Sequence, residues 1–206
     1  MSNDLIRLAI YLVFYAGVHS LLATDTLKHR ISGFFNGRDR YYRLLYSAFS
    51  TIALYPVLAI LHRSPTLYQI DGQALPLVMR GLQVVGAIGF LLSLRTVELG
   101  IFVGLKRQTG DQTASELTTD GPYRWCRHPL YFFASLFLLM EPTVSEAYAV
   151  FTIWTVIYFW AGSWIEESRL IQTYGSAYLD YITRAPHFIP RPYTKNAGSP
   201  DREAGV

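Results

Sequence analysis

Apolar residues gather into long stretches along this chain. Residues 5–23, 41–61, 75–94 and 146–165 each approach the ~20 residues that a helix needs to cross a bilayer. A fifth stretch, 129–140, is only twelve residues long and ends at Glu141-Pro142. With the stretch that follows it, it predicts a helical hairpin turning at "EPTVSE". The first stretch lacks the cationic start and small-residue cleavage site of a signal peptide, so it reads as a permanent span. The expected fold is an all-α integral membrane protein with five transmembrane helices, the last two forming the hairpin.

The basic residues between these stretches set an orientation. Lys28, Arg30, Arg38, Arg40 and Arg43 fall in the loop 24–43. Arg95, Lys106, Arg107, Arg124 and Arg127 fall in the loop 95–128, and Arg169, Arg184, Arg191, Lys195 and Arg202 in the tail. Only Arg7, Arg63 and Arg80 remain for the opposite side. The positive-inside rule then predicts an outside N-terminus, a cytoplasmic C-terminus and, for a bacterial chain, the inner membrane.

Composition agrees with this class. Of 206 residues, 51% are hydrophobic and 16% charged, against roughly 25% charged in soluble domains. The net charge of +3 excludes nucleic acid as an expected partner. Cys126 is the single cysteine, so no intrachain disulfide can form. No internal repeat stands out.

The polar segments are few. After the last span, "ESRLIQTYG" extends the helix into the cytosol and stops at Gly175. "SAYLDYITRAP" reads as a short surface helix, with Ser176 as cap and Pro186 past its end. The chain divides into N-terminal helices over 1–94, a region carrying the candidate chemistry over 95–192, and a disordered tail over 193–206.

That chemistry centres on "GPYRWCRHPLYFF", where charge stands at the mouth of an apolar helix. Pro129 suits the first helical turn, because its missing N–H is needed there by nothing. The free N–H groups of that helix end, its positive dipole and Arg127 make a site for a carboxylate or ring acceptor. Headgroup anchoring by Arg124, Arg127 and His128 is the plain alternative. Glu166 and Glu167 form a second cluster at the same depth; pairing of Glu166 with Arg169, three residues on, is the plain alternative. Carboxylates at a helix C-terminal end oppose its dipole by about 0.3–1 kcal/mol each. The hairpin folds them beside His128, where an anionic patch facing a helix N-terminus suits a zwitterion carrying an extra positive charge. No motif suggests a metal.

"RHPLY", "EESRL" and "YGSAYLDYITRAPHFIP", in that order, closely resemble the C-terminal signature of the isoprenylcysteine carboxyl methyltransferase superfamily. The resemblance covers about residues 95–192. It implies a membrane methyltransferase that uses S-adenosylmethionine. By the same resemblance, Gln108 and the segment Ser115, Glu116, Leu117 and Thr118 would contact the cofactor. Tyr123, Arg127, His128, Pro129, Leu130 and Tyr131 would line it, and Glu166 with Glu167 would meet its ammonium or sulfonium. The signature usually has Gly two residues after its Tyr, where this chain has Phe133. The prenylcysteine enzymes carry an Arg four residues before the matching Glu, where this chain has Gly162. A small or lipophilic acceptor, a thiol above all, is therefore expected in place of a prenylcysteine carboxyl; a lipid amine remains an alternative.

A thiol reacts as its thiolate, so a base is useful. His19 and Glu98 are the candidates, because ionisable groups at that depth in a membrane are functional suspects. Pairing of His19 with Ser20 or a carbonyl, and of Glu98 with Arg95, are the plain readings. A second class of enzyme shares part of the pattern: NADPH-dependent reductases of the steroid 5-alpha type. Leu130 after Pro129 counts against it. A non-catalytic membrane protein is the third reading.

Overall fold

The computed structural model describes residues 3–34, 39–96 and 117–191. Four helices there are long and apolar enough to cross a membrane: Asn3–Leu22, Tyr41–Arg63, Ala74–Thr96 and Glu146–Tyr174. They match the four long stretches read from the sequence. Large apolar side chains such as Phe14, Leu77 and Ile157 face outward, the inside-out exposure expected of a chain whose solvent is lipid.

Helix α1 (Asn3–Leu22) is apolar nearly all round, and only Leu8 and Leu12 are buried. They pack with Val57 and Ala147 into a small core. The region 24–43, expected as a loop, contains helix α2 (Asp25–Phe34) and the start of α3 (Asp39–Ile52). The Thr24 hydroxyl bonds back to the Leu21 carbonyl at the turn between α1 and α2. Helices α3 and α4 (Tyr55–Arg63) form one span broken at Ala53-Leu54. Pro56, lacking an N–H and crowding the preceding turn, accounts for the restart.

Strand β1 (Thr66–Gln69) follows, then helix α5 (Ala74–Thr96). After a 3-10 turn at Gly121–Arg124, helix α6 (Pro129–Leu139) begins at the proline, as its sequence predicts. Its 11 residues span only ~16 Å. Strand β2 (Thr143–Ser145) follows in extended form. Thus "EPTVSE", read as a plain turn, instead contributes a strand that pairs antiparallel with β1, Gln69 opposite Thr143 and Thr66 opposite Ser145. Backbone groups freed by the short helix are satisfied there.

Helix α6 packs more extensively against α5 than against α7 (Glu146–Tyr174), its partner in the expected hairpin. Close approach is allowed by Gly86 and Gly89 on α5, whose missing side chains admit Phe133 and Phe137. At the far end of α6, Glu141 receives two bonds from Arg80 at 2.9 Å, and Gln83 bonds both Glu141 and the Phe137 carbonyl. Helix α7 ends at Tyr174, and Gly175 adopts φ 56°, a left-handed conformation that favours glycine. Gly175, rather than Ser176, is the N-cap of helix α8 (Ser176–Arg184). That helix is more than a surface element, because Tyr178, Tyr181 and Ala185 form a second core with Leu117 packed on it.

Candidate active site

The segment before α6 is held by the strap that follows α8. The Arg127 N–H donates to Pro186 O at 2.9 Å, and the His128 N–H to His187 O at 3.2 Å. Arg191 N–H closes the pairing on Trp125 O at 3.0 Å, and the Tyr181 hydroxyl donates to Tyr123 O at 2.6 Å. Two segments about sixty residues apart thereby lie side by side.

Glu167 is the hub of the charges they carry. Its Oε1 accepts from Arg127 Nε at 2.6 Å, with both side chains 8% exposed. The same oxygen lies 3.4 Å from the Tyr178 hydroxyl and 3.4 Å from His128 Nε2. Arg127 also donates to the carbonyls of Ala185 and Ile182. Its guanidinium, expected among the cofactor contacts, is thus committed to tying α8 onto α7.

Glu166 stands apart from that pair. Its Oε2 lies 3.6 Å from His128 Nδ1, and its side chain is 44% exposed. The Tyr131 hydroxyl reaches the same carboxylate. His128 stacks on Tyr131 at 5.7 Å, and Tyr131 on Phe159 at 5.0 Å. His128 is 4% exposed, and its Nε2 faces Glu167 Oε1 at 3.4 Å without a well-formed hydrogen bond. Because Arg127 is bonded to Glu167, the acid left facing the opening of the site is Glu166, with the charge of Arg169 near it.

Groups beside the site are held neutral. Burial pushes the Tyr123 hydroxyl up to about 12, with the charge of Glu166 next and Cys126 after it. Burial also pushes the Cys126 thiol up to about 12, against smaller opposing effects of the His128 backbone and Arg127. The His187 imidazole is lowered from its ordinary value, chiefly by burial, although Glu167 acts the other way.

His187 was not singled out by sequence reasoning, although it lies within "PHFIP". It stacks on Trp164 at 4.1 Å, meets His128 edge-on at 5.0 Å and reaches Ser163 Oγ at 3.2 Å. His128, Glu167 and His187 bring ligand atoms within 4.8 Å of one another. A cation there would sit against the buried Arg127 guanidinium, which already holds Glu167 Oε1, so the donor set does not suit a metal.

Of the other sequence candidates, Pro129 and Leu130 open α6 beside His128, and Leu117 and Thr118 lie half-buried near α8. His19 belongs to a separate cluster on α1. Glu98, Gln108, Ser115 and Glu116 lie outside the described residues.

A family model described as phospholipid methyltransferase matches residues 79–177. This match, over just under half of the chain, agrees with the resemblance to the isoprenylcysteine carboxyl methyltransferase superfamily. It is 27% identical over 154 residues to a methanethiol S-methyltransferase of Crocosphaera subtropica, covering 72% of this chain and 60% of that protein. It is 39% identical over 80 residues to the protein-S-isoprenylcysteine O-methyltransferase of Mus musculus, covering 36% of this chain and 27% of that one. The rat protein of the same name matches to the same extent. The chain therefore spans less than two thirds of the length of these relatives. No solved structure matches it.

Proposed function

We propose that the chain is a membrane methyltransferase that uses S-adenosylmethionine and methylates a small or lipophilic acceptor, in the first instance a thiol. The observation that carries this reading is the convergence of the half-exposed Glu166 with the buried His128 at the N-terminus of α6. This donor supplies a methyl group already activated on a positively charged sulfur. Its ammonium and sulfonium suit Glu166, and its carboxylate suits the free N–H groups of α6. Tyr123, Pro129, Leu130 and Tyr131 would wall it, with Leu117 and Thr118 beside them. By family resemblance, Gln108, Ser115 and Glu116 would complete its contacts. Arg127 and Glu167 serve this site by fixing α8 and the strap behind His128.

The acceptor reading rests on Gly162. This position lies one helical turn before Glu166, and no atom comes within 4 Å of where its Cβ would be. A carboxylate entering there would find no arginine at that position, whereas a neutral thiol needs none. The methanethiol enzyme among the relatives supports a thiol, while the phospholipid family description supports a lipid amine as the second reading. The protein's work is then in-line positioning and exclusion of water, with His19 or Glu98 taking the acceptor's proton. We further propose that the site faces the cytoplasm, since most of the basic residues lie at that end.

A reductase reading is less well supported. Arg124 is paired with Asp120 at 2.7 Å and Arg127 with Glu167, so neither is free for the 2′-phosphate of NADPH. Titration calorimetry of the purified protein with S-adenosylmethionine and with NADPH is the test. Binding of NADPH alone would replace this proposal. Methyl transfer to methanethiol, longer thiols, prenylcysteine and phosphatidylethanolamine, assayed side by side, selects the acceptor; rapid turnover of prenylcysteine alone would overturn the argument from Gly162.

A further inference from the structure

A second polar cluster lies among the apolar helices, where α1 meets α3 and α7. Both ring nitrogens of His19 are engaged: Nδ1 lies 3.1 Å from Ser50 Oγ, and the Tyr46 hydroxyl lies 2.8 Å from Nε2 and 3.3 Å from Nδ1. Tyr15, one turn earlier on α1, stacks on the imidazole at 5.5 Å and donates to Ser50 O at 3.2 Å. Ser20 meets the Tyr158 hydroxyl of α7 at 3.1 Å. The Tyr158 ring lies 6.4 Å from that of Phe159, which stacks on Tyr131 at 5.0 Å. Tyr131 in turn reaches Glu166.

Tyr158, Gly162 and Glu166 are spaced four residues apart on α7, so they rise along one face. The open space at Gly162 therefore lies between Glu166 and the tyrosine that bonds Ser20, the residue next to His19. The Ser50 and Tyr46 hydroxyls, with the Tyr15 ring stacked on the imidazole, place His19 between α1 and α3.

We propose that Tyr46 and His19 form the proton relay of the methyl acceptor, which binds over Gly162 as a neutral thiol. This rests on the methyltransferase reading above. With Nδ1–H donating to Ser50 Oγ, Nε2 accepts the Tyr46 proton, and the Tyr46 oxygen is left to receive a proton from the acceptor. As the acceptor sulfur bonds the methyl carbon, the carbon–sulfonium bond breaks and its electron pair stays on the donor sulfur. The S–H proton passes to Tyr46 while the Tyr46 proton passes to His19 Nε2. The imidazolium then releases a proton to water at the end of α1. The titratable groups facing His19 are Tyr15 on its own helix, Tyr42 and Tyr46 on α3, and Tyr158 on α7.

The test compares two acceptors, an alkanethiol and an aromatic thiol already ionised at neutral pH, in the wild type, Tyr46→Phe and His19→Gln. Loss of a base costs on the order of a hundredfold or more, so kcat for the alkanethiol should fall by that much. The ionised thiol should lose less than roughly tenfold, since the thiolate requires no base. Affinity for S-adenosylmethionine, read by calorimetry, should be unchanged in both variants. If one variant fails to fold, the other carries the same comparison. An equal loss for both thiols, with cofactor binding intact, would show that His19 and Tyr46 only hold helices together. A wild-type protein that neither binds S-adenosylmethionine nor methylates either thiol would defeat the parent reading, and the relay with it.

Discussion

The ring of Phe133 occupies the space that a side chain on Gly89 would need. A Cβ built on Gly89 falls 2.4 Å from both Cδ1 and Cε1 of that ring. Phe133, the residue where the superfamily signature usually has glycine, is therefore accommodated by a glycine on the facing helix, away from His128. Gly89→Ala should destabilise the protein by about 1–3 kcal/mol, as overpacking does. Thermal unfolding in detergent of that variant, of Phe133→Ala and of the double variant checks the pairing. The double should be more stable than the sum of the singles predicts; simple additivity would mean that the two residues are independent.

Removing Arg127 leaves Glu167 buried without its guanidinium, and breaking a buried pair typically costs about 3–5 kcal/mol. Arg127→Ala should lower the unfolding temperature markedly. Arg127→Met combined with Glu167→Gln should recover most of the loss, because no unpaired charge then remains. A variant as stable as the wild type would show that the pair does not anchor α8.

Glu166 is half-exposed at the site and is not part of the Arg127 pair. Glu166→Ala should weaken S-adenosylmethionine by at least tenfold, about 1.4 kcal/mol, with little change in stability. Calorimetry reads the affinity directly. Unchanged binding would remove the main support for the cofactor site.

Cys126 is fully buried and its thiol is raised to about 12. The unfolded thiol ionises near pH ~8.5, so the folded form holds its proton where the unfolded form does not. Its contribution to stability is complete below that pH and is lost as pH climbs toward the folded value. Maleimide labelling at neutral pH should be slow in the native protein and fast after denaturation. Rapid native labelling would contradict the burial.

Basic residues concentrate in 24–43, 95–128 and the tail. A reporter fused after Val206 should then be active only in the cytoplasm. Activity on the opposite side would reverse the orientation and the access route to Glu166 alike.

The spans were legible because bilayer thickness sets a length and lipid demands apolar side chains, and both are local properties of the sequence. Pro129 at the start of α6 and Gly175 at the end of α7 were legible for a similar reason, since each is dictated by its own backbone. Strand β2 was not. Residues 143–145 pair with 66–69, a partner remote in sequence, and nothing local in "EPTVSE" announces the ladder. Helix α2 was read as loop because its charged residues outweighed its apolar face.

Hydropathy, charge bias and the "RHPLY" and "EESRL" motifs by themselves determined the membrane class, the number of long spans and the resemblance to the superfamily. Each depends on residue type and short spacing alone. Only the tertiary structure separated the roles of two adjacent acids. Glu166 and Glu167 point in directions about 100° apart on a helix, so one meets His128 at the open site and the other meets Arg127 in the core. It also joined His19 to Tyr46 and Ser50, and Phe133 to Gly89, because such contacts arise from the packing of different helices and have no signature in either helix alone.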